Sequence, residues 1–241
     1  MDTTSAYDLW ARVYDTDGNF LQALDTIEMK KLLPRLVSLI ETPKPWKLVD
    51  VGCGTGRNTV ELLRIPDSEV IALDASPNML ALAQKRLEEA SRELTPAPAF
   101  RVGLFDLLEK EQGPPEGLGD PTADVIVSTL VLEHVPLSTY FERCLGFLKP
   151  GGLLLLTNMH SEMGNISQAG FVDPASGEKV RPKSYPHTIE EILEEAGKHG
   201  LALVGEFKEE SVKEENCEEL GPRARKWKGI KVWCGGILRK S

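Results

Sequence analysis

The sequence has few residues that could form disulfides or bind metal ions. Its four cysteines, Cys53, Cys144, Cys217 and Cys234, are widely spaced in 241 residues, and no C-x-x-C pair occurs. None of the four histidines stands at metal-ligand spacing from another ligand. Neither a disulfide framework nor a zinc site is therefore predicted.

Long apolar runs are also missing. No run approaches the roughly 20 residues needed to span a bilayer. The N-terminal MDTTSAYDLW has neither a basic start nor an apolar signal core. We therefore expect a cytoplasmic protein without a membrane partner.

Basic residues are outnumbered by acidic ones. Lys and Arg total 28 against 37 Asp and Glu, which gives a net charge of -9 at pH 7 and a pI near 5.1. Such a surface repels a phosphate backbone, so nucleic acid is not an expected partner. The 41% of hydrophobic residues supply enough material for one continuous core. A globular enzyme that acts on a small molecule is the class that remains.

Short apolar runs that predict strands alternate with segments of helical periodicity. Strands are predicted near 47–51, 69–73, 100–102, 124–129, 153–157, 201–208 and 230–238, and helices near 5–40, 58–63, 76–89, 138–147 and 188–198. This alternation predicts an α/β fold with a mainly parallel sheet. We divide the single domain into a helical cover (1–45), a core (46–160), a lid insertion (161–187) and a C-terminal part of the sheet (188–241). The insertion is assigned as a substrate lid because it is too long for an ordinary connection.

A glycine loop, Gly52-Cys-Gly-Thr-Gly56, follows the first predicted strand directly. Its backbone N–H groups can approach a ligand closely because no Cβ intervenes. Arg57 stands where the dinucleotide fingerprint places its third glycine, and no Gly-Lys-Ser/Thr follows, so the spacing disfavours dinucleotides and triphosphates. Asp74 ends the second strand, a position from which a carboxylate accepts hydrogen bonds from ribose hydroxyls. The ligand should contain an unphosphorylated ribose.

Four segments resemble the motifs of the class I S-adenosylmethionine-dependent methyltransferases. They are Val49-Asp-Val-Gly-Cys-Gly-Thr-Gly-Arg57, Val70-Ile-Ala-Leu-Asp-Ala-Ser-Pro-Asn-Met-Leu80, Asp124-Val-Ile-Val-Ser-Thr-Leu-Val-Leu-Glu-His134 and Leu148-Lys-Pro-Gly-Gly-Leu153. The motifs occur in the family's order and spacing across residues 47–160. The resemblance implies a Rossmann-like sheet of seven strands, mostly parallel with the last antiparallel, and S-adenosyl-L-methionine as cofactor.

The resemblance also implies which residues bind the cofactor. The methionine end would lie against Gly52, Gly54 and Gly56, with Asp50 reaching the amino group. Asp74 would hold the ribose, and Ala75 and Met79 would flank the adenine. Phe105, Asp106 and Leu107 would clamp the adenine, and the stretch from Ser128 to Leu130 would line the methionine part. Four alternatives stay open: Asp50 could instead bond the loop amides, the glycines could serve only a tight turn, and Asp74 and Asp106 could each be a helix cap.

The N-terminal Tyr7-Asp-x-Trp-Ala-x-x-Tyr-Asp15 resembles the family's leading segment, in which a tyrosine closes over the cofactor. Tyr14 is assigned to that cover, and Tyr7 and Trp10 to the acceptor pocket. The alternative is an aromatic helix stripe that packs on the core.

Few catalytic side chains are required, because the sulfonium is an activated methyl donor and alignment is the main task. A hydroxyl or ammonium acceptor must still lose a proton, and histidine is the natural base near neutral pH. His160, after strand five, is the first candidate base, and His187, at the end of the lid, is the second. Both belong to the expected acceptor pocket, as does His134, which follows strand four. His199 is interpreted as a helix C-cap.

The whole pattern is similar to small-molecule methyltransferases of fungal secondary metabolism, including the N-methyltransferases of epipolythiodioxopiperazine pathways. It implies N- or O-methylation of a secondary metabolite, with a diketopiperazine amide nitrogen among the acceptors. Two other hypotheses remain. One is a protein of this fold that binds the cofactor without methyl transfer, such as a cyclase or a regulatory protein. The other is a nicotinamide oxidoreductase, which the missing third glycine disfavours.

Overall fold

A mostly parallel β-sheet with helices on both faces forms the centre of the computed structural model, which describes residues 2–241. The strands are β1 (Trp46–Val51), β2 (Ser68–Asp74), β3 (Ala99–Leu104), β4 (Ala123–Thr129), β5 (Leu148–Met159), β6 (Phe171–Val172), β7 (Lys179–Val180), β8 (Leu201–Leu203), β9 (Lys208–Ser211) and β10 (Lys231–Lys240). The helices are α1 (Thr3–Trp10), α2 (Phe20–Ser38), α3 (Thr59–Leu63), α4 (Pro77–Arg92), α5 (Leu137–Leu145), α6 (Ser161–Ile166), α7 (Ile189–Lys198) and α8 (Glu214–Cys217). Short 3₁₀ helices cover Leu132–His134 and Pro222–Trp227.

The sheet has the strand order β3-β2-β1-β4-β5-β10-β8, and β9 pairs with β10 at one side. Strands β1 to β5 are parallel to their neighbours, whereas β10 runs antiparallel to β5 and β8. The predicted α/β class, the parallel sheet and the antiparallel last strand are confirmed. Strand β9 is an addition to the seven strands that were predicted. The strand order reverses between β1 and β4, and the crevice at such a point is where open α/β sheets bind ligands.

The two faces of the sheet are covered by different helices. Val125 and Val127 of β4 pack in the cluster formed with α2, α3 and α4, whereas Ile126 packs in the cluster formed with α5 and α7. All seven residues of β4 are buried, as expected for a central parallel strand covered on both sides. This double burial fixes the strand ends that carry the site.

The predicted continuous helix over residues 5–40 is wrong, because turns over residues 11–19 separate α1 from α2. Gly18 has a positive φ of 68°, and the Asn19 side chain accepts a hydrogen bond from the N–H of Leu21 at 3.1 Å. These are the ordinary signals of a turn followed by a helix N-cap. The break allows α1 to cross the carboxyl edge of the sheet.

The predicted lid insertion contains α6 and the two-stranded hairpin β6-β7. Phe171 of β6 stacks on Trp10 of α1, with ring centroids 5.1 Å apart and an interplanar angle of 13°. The insertion therefore packs on the N-terminal helix. Met1, the first residue of the predicted helical cover, lies outside the described residues. Among residues 2–241, no helix combines the length and apolar character needed to cross a membrane.

Candidate functional site

A cleft lies at the carboxyl ends of β1, β2 and β4. Its floor, as the term is used below, is the loop 52–56 together with Asp74 and residues 105–107. Its roof is α1 and the 3₁₀ helix Leu132–His134, together with the insertion 161–187, which packs behind them without lining the cleft. The residues named from the sequence that line the cleft are Tyr7, Tyr14, Gly52, Gly54, Asp74, Ala75, Phe105, Asp106, Leu107, Leu130 and His134.

The glycine loop is held against the end of β2. The N–H groups of Gly52 and Cys53 donate to the Leu73 carbonyl at 2.8 and 2.9 Å. Gly52 and Gly54 have positive φ values of 74° and 55°. A Cβ on Gly52 would lie 2.2 Å from the Val131 side chain, so only glycine fits there. The loop thus offers bare backbone to the cleft.

Asp74 connects the loop to the start of α4. Its Oδ2 accepts the N–H of Gly54 at 2.8 Å, and its Oδ1 accepts the N–H of Ser76 at 2.9 Å. Burial raises the pKa of Asp74 to about 6, against the opposing effect of these N–H donors. A carboxylate has about four acceptor sites, so two remain for hydroxyl groups of a ligand.

Asp106 stands at the other end of the floor. It accepts hydrogen bonds from the Thr4 hydroxyl of α1 at 3.1 Å and from the N–H of Leu108 at 2.8 Å. The second bond is the cap-type interaction that the sequence left open, and the same carboxylate lines the cleft. Phe105 is buried beneath it, with the Arg143 guanidinium 4.6 Å from the ring centroid.

Four residues assigned to the cofactor do not line the cleft, namely Asp50, Gly56, Met79 and Ser128. Asp50 is fully buried, and its Oδ2 accepts the Thr59 hydroxyl at 2.6 Å. Its Oδ1 has no partner among the described residues, and burial raises its pKa to about 7. Met79 is buried in the cluster with Trp10, and Ser128 is fully buried in β4.

Gly56 has a packing role in the structure. Its φ is 82°, and a Cβ there would lie 3.3 Å from the Cα of Ala83 in α4. The close approach of loop and helix requires a residue without a side chain.

The roof contains a hydrogen-bonded chain that joins three segments distant in sequence. The Tyr7 hydroxyl lies 2.8 Å from His134 Nε2, and His134 Nδ1 lies 2.7 Å from the Lys183 carbonyl oxygen. A carbonyl only accepts, so Nδ1 carries the proton and Nε2 accepts the Tyr7 O–H. Burial lowers the pKa of His134 to about 4 and raises that of Tyr7 well above its usual value. Near pH 7 both groups are therefore neutral.

The other two aromatic residues of the N-terminal segment have different surroundings. Tyr14 lines the cleft, and its hydroxyl makes no hydrogen bond with the described residues. Burial raises its pKa. Trp10 lies outside the cleft lining, where its Nε1 donates to Asp17 at 2.9 Å and its ring stacks on Phe171.

The two histidines first assigned as bases do not line the cleft. His160 Nδ1 accepts the N–H of Glu162 at 3.0 Å, so Nε2 carries the proton and donates to Glu209 at 2.8 Å. Neither ring nitrogen of this tautomer has a free lone pair. His187 Nε2 donates to the Val135 carbonyl at 3.0 Å.

The sequence interpretation missed Thr4 as a lining residue, whereas Thr129 belongs to the predicted stretch from Ser128 to Leu130. Thr129 lies between the assigned Ser128 and Leu130, and side chains alternate along a strand, so the neighbour of Ser128 faces the opposite side. Leu130 has a φ of 57°, a left-handed conformation that is unusual for leucine. Chain reversal at this point could not be inferred from residue types.

These features fit a nucleoside with an amino-acid tail, as in S-adenosylmethionine. Gly52 and Gly54 form a cradle that a Cβ would fill, and Asp74 has spare acceptor capacity for a ribose. Asp106 supplies an acceptor for an exocyclic amine. The Gly54 end of the cleft leads towards Thr129, where the tail would lie.

Comparisons with known proteins agree with this geometry. Residues 49–154 match a family model described as a methyltransferase domain. The chain is 46% identical over 260 residues to an uncharacterised methyltransferase of Emericella nidulans, a match that covers 98% of this chain and 90% of that protein.

Two solved structures have similar folds. A complex of DhpI with SAH matches with a TM-score of 0.64 and 18% identity, over 99% of this chain and 95% of that one. Magnesium protoporphyrin IX methyltransferase from Synechocystis PCC 6803, with bound SAH, matches with a TM-score of 0.61 and 16% identity, over 99% of this chain and 95% of that one. At these identities the likeness concerns the fold.

Proposed function

We propose, from the premise that the chain belongs to the S-adenosylmethionine-dependent methyltransferase family, that it methylates a nitrogen or oxygen atom of a small secondary metabolite. The cofactor supplies an activated methyl group, so the protein must align the acceptor and provide for its proton. The observation that carries the proposal is the neutral Tyr7–His134 pair that lines the cleft.

The pair offers a path for a proton from the acceptor. Tyr7 can take the proton of a bound N–H or O–H group while its own hydroxyl proton passes to His134 Nε2. The Lys183 carbonyl holds the Nδ1–H and stabilises the resulting imidazolium. Carbon and sulfur acceptors need no such pathway if they carry no acidic proton or are already ionised, so the pair favours N–H and O–H acceptors.

A base as weak as His134 is sufficient for this chemistry. Its pKa of about 4 would not ionise a free hydroxyl or amide in advance. The acceptor atom becomes strongly acidic as it forms the new bond to carbon, so the proton can leave at that stage. The weak base has the advantage that it is unprotonated across the neutral range.

His134 is preferred to the two bases first assigned from the sequence. His160 has no free lone pair in its hydrogen-bonded tautomer. His187 does not line the cleft, and its Nε2 donates to the carbonyl of the lining residue Val135. We therefore assign the proton transfer to Tyr7 and His134, with His160 and His187 as structural residues.

The surroundings favour a compact and mainly uncharged acceptor. Tyr7, Tyr14 and Val131 place aromatic and aliphatic groups around the cleft, beside the backbone of the glycine loop. The net charge of -9 disfavours nucleic acid. A ring amide nitrogen of the diketopiperazine type fits this description and carries the N–H that the proposed pathway removes.

The test is incubation with methyl-labelled cofactor and a panel of cyclic dipeptides, phenols, amines and a host-metabolite extract, followed by identification of the labelled atom. We expect a label on nitrogen or oxygen. His134→Asn, which can still donate to the Lys183 carbonyl but lacks the Nε2 lone pair, should lower turnover by about 10² to 10⁴-fold.

His160→Gln and His187→Gln are the matched controls and should stay within about five-fold of the wild type if they have no role in proton transfer. A label found only on carbon or sulfur would refute the proposed acceptor class. Normal turnover of His134→Asn, or a large loss in either control, would refute the assigned base.

A further inference from the structure

A fully buried carboxylate outside the cleft is connected to its wall by hydrogen bonds. Asp25 of α2 has no exposed surface. Its Oδ1 accepts hydrogen bonds from the Thr157 hydroxyl at 2.6 Å and from Trp233 Nε1 at 3.0 Å. Its Oδ2 accepts hydrogen bonds from the Arg57 guanidinium at 2.8 Å and from Asn58 Nδ2 at 3.1 Å. Four donors from β5, β10 and the chain after the glycine loop therefore converge on one side chain of α2.

Asp25 determines the orientation of the Asn58 amide. A carboxylate that receives four donors accepts only, so the Asn58 NH₂ group must face it. The second N–H of that group donates to Thr129 Oγ1 at 2.8 Å, and the Asn58 carbonyl oxygen accepts from Arg57 at 3.2 Å. Every polar atom of this buried amide has a partner, so its rotation would break several hydrogen bonds at once.

The amide in turn determines what Thr129 offers to the cleft. Its oxygen already accepts a hydrogen bond from Asn58, so the hydroxyl proton is free to be donated. The hydroxyl donates no hydrogen bond to the described residues, and Thr129 lines the cleft. The strand order β3-β2-β1-β4 puts Thr129, at the end of β4, on the far side of the glycine loop from Asp106, which follows β3. An amino-acid tail would lie at this end. A buried hydroxyl donor of this kind calls for an acceptor on a ligand.

We propose that Asp25 is a positioning residue for the cofactor, which acts through Asn58 to direct the Thr129 hydroxyl at the carboxylate of the methionine end. The proposal rests on cofactor binding alone and does not depend on the acceptor. It predicts a selective defect: ligands with the amino-acid tail lose affinity, and ligands without it do not.

The test compares binding of S-adenosylhomocysteine with that of 5′-methylthioadenosine, which has the same nucleoside and sulfur but no amino-acid tail. Calorimetry should show that Thr129→Val weakens binding of S-adenosylhomocysteine by about 10-fold or more, the effect of losing a hydrogen bond to a charged group. Binding of 5′-methylthioadenosine should change less than two-fold. Thr129→Ser, which restores the hydroxyl, should recover most of the affinity.

Asp25→Asn should produce the same selective loss, in addition to a lower melting temperature. If that variant does not fold, Asn58→Ala removes the connection while Asp25 keeps Arg57, Thr157 and Trp233. Glu28→Gln is the matched control, because Glu28 is a second buried carboxylate of α2 whose hydrogen bond is to Lys31. It should leave the affinity ratio of the two ligands unchanged.

The ratio of the two ligands' affinities separates positioning from a purely structural role. A loss of stability alone changes the affinity for both ligands equally or for neither. An unchanged ratio in Thr129→Val would overturn the role of the hydroxyl. An unchanged ratio in Asp25→Asn and Asn58→Ala, with a selective loss in Thr129→Val, would overturn the role of Asp25. Because no acceptor is present, the result stands whether or not the proposed acceptor class is correct.

Discussion

The floor and the roof of the cleft are built on different principles. The floor consists of backbone groups and of side chains that bond neighbours fixed by the sheet, such as Asp74 with Gly54 and Ser76. The roof consists of side-chain contacts between segments far apart in the chain, such as Tyr7 with His134 over 127 residues. Mutations in the floor should therefore change cofactor affinity, whereas mutations in the roof should change acceptor chemistry and access.

The strongest test of this division within the floor is Asp74→Ala. Loss of charge-assisted bonds to two ribose hydroxyls, partly recovered by water, should weaken S-adenosylhomocysteine binding by about 2 to 4 kcal/mol. Calorimetric titration measures this as a dissociation constant raised by roughly 30 to 1,000-fold. NAD should not compete for the site.

Asp120→Ala changes an exposed carboxylate outside the cleft and is the control for net charge. It should bind the cofactor product normally. An Asp74→Ala protein with wild-type affinity would mean that the floor does not hold the ribose through this carboxylate. The assignment of the floor to cofactor binding would then lose its main support.

The sequence predicted the floor better than the roof for a physical reason. Gly52, Gly54 and Asp74 lie at strand ends, where short-range sequence already specifies the backbone conformation. The same local rules led to the central parallel strands, whereas the antiparallel last strand was implied by the resemblance to the family. The adjoining Ser128 and Thr129 show the limit, since only the packing of β4 decides which of the two faces the cleft.

Contacts in the roof could not be derived from local pattern. The partner of His134 on one side is Tyr7 and on the other is a carbonyl of the insertion, at Lys183. Nothing in the spacing of the four histidines distinguishes this one from His160, whose ring nitrogens are used to cap α6 and to bond Glu209. Selecting between them required the tertiary arrangement.

A second test concerns the support of the floor and uses the buried Asp50 of β1, the strand that leads into the glycine loop, whose pKa is raised to about 7 by burial. A carboxyl with a raised pKa in the folded state contributes stability below its unfolded pKa of about 4, and that contribution is lost as the pH rises through 7. Asn cannot ionise. The free energy of unfolding of Asp50→Asn should therefore increase relative to that of wild type between pH 5 and pH 8, by up to a few kcal/mol.

Urea unfolding at the two pH values measures the change, and any constant cost of the new amide cancels in the comparison. Asp124→Asn is the matched control, because Asp124 is equally buried but accepts from Lys149 and from the N–H of Lys47, both at 2.8 Å. It should lower stability at both pH values. If the free energies of unfolding of Asp50→Asn and wild type differed by the same amount at both pH values, ionisation of Asp50 would not destabilise the folded protein.

The smallest expected effect concerns the contact that joins the two halves of the roof. Trp10 of α1 and Phe171 of the insertion stack with centroids 5.1 Å apart, and this pair connects segments 161 residues apart in sequence. A double-mutant cycle of Trp10→Ala and Phe171→Ala should give a coupling energy of about 0.5 to 1.5 kcal/mol. The pair of Phe20 and Trp227, whose centroids lie 6.2 Å apart outside the roof, is the control.

Hydrogen exchange shows whether this coupling matters for access to the cleft. If α1 and the insertion open together, Trp10→Ala should reduce amide protection in residues 161–187 of the free protein as well as in α1. Binding of S-adenosylhomocysteine should increase protection in both segments and diminish the difference from the wild type, because the ligand selects the closed form.

A cycle at the control pair of Phe20 and Trp227 can show a similar coupling energy but should leave amide protection in the insertion unaffected. If Trp10→Ala changed protection only within α1, the two segments would open independently. The roof would then be two separate covers, and the bond between His134 and the Lys183 carbonyl would connect the proton pathway to the insertion independently of Trp10.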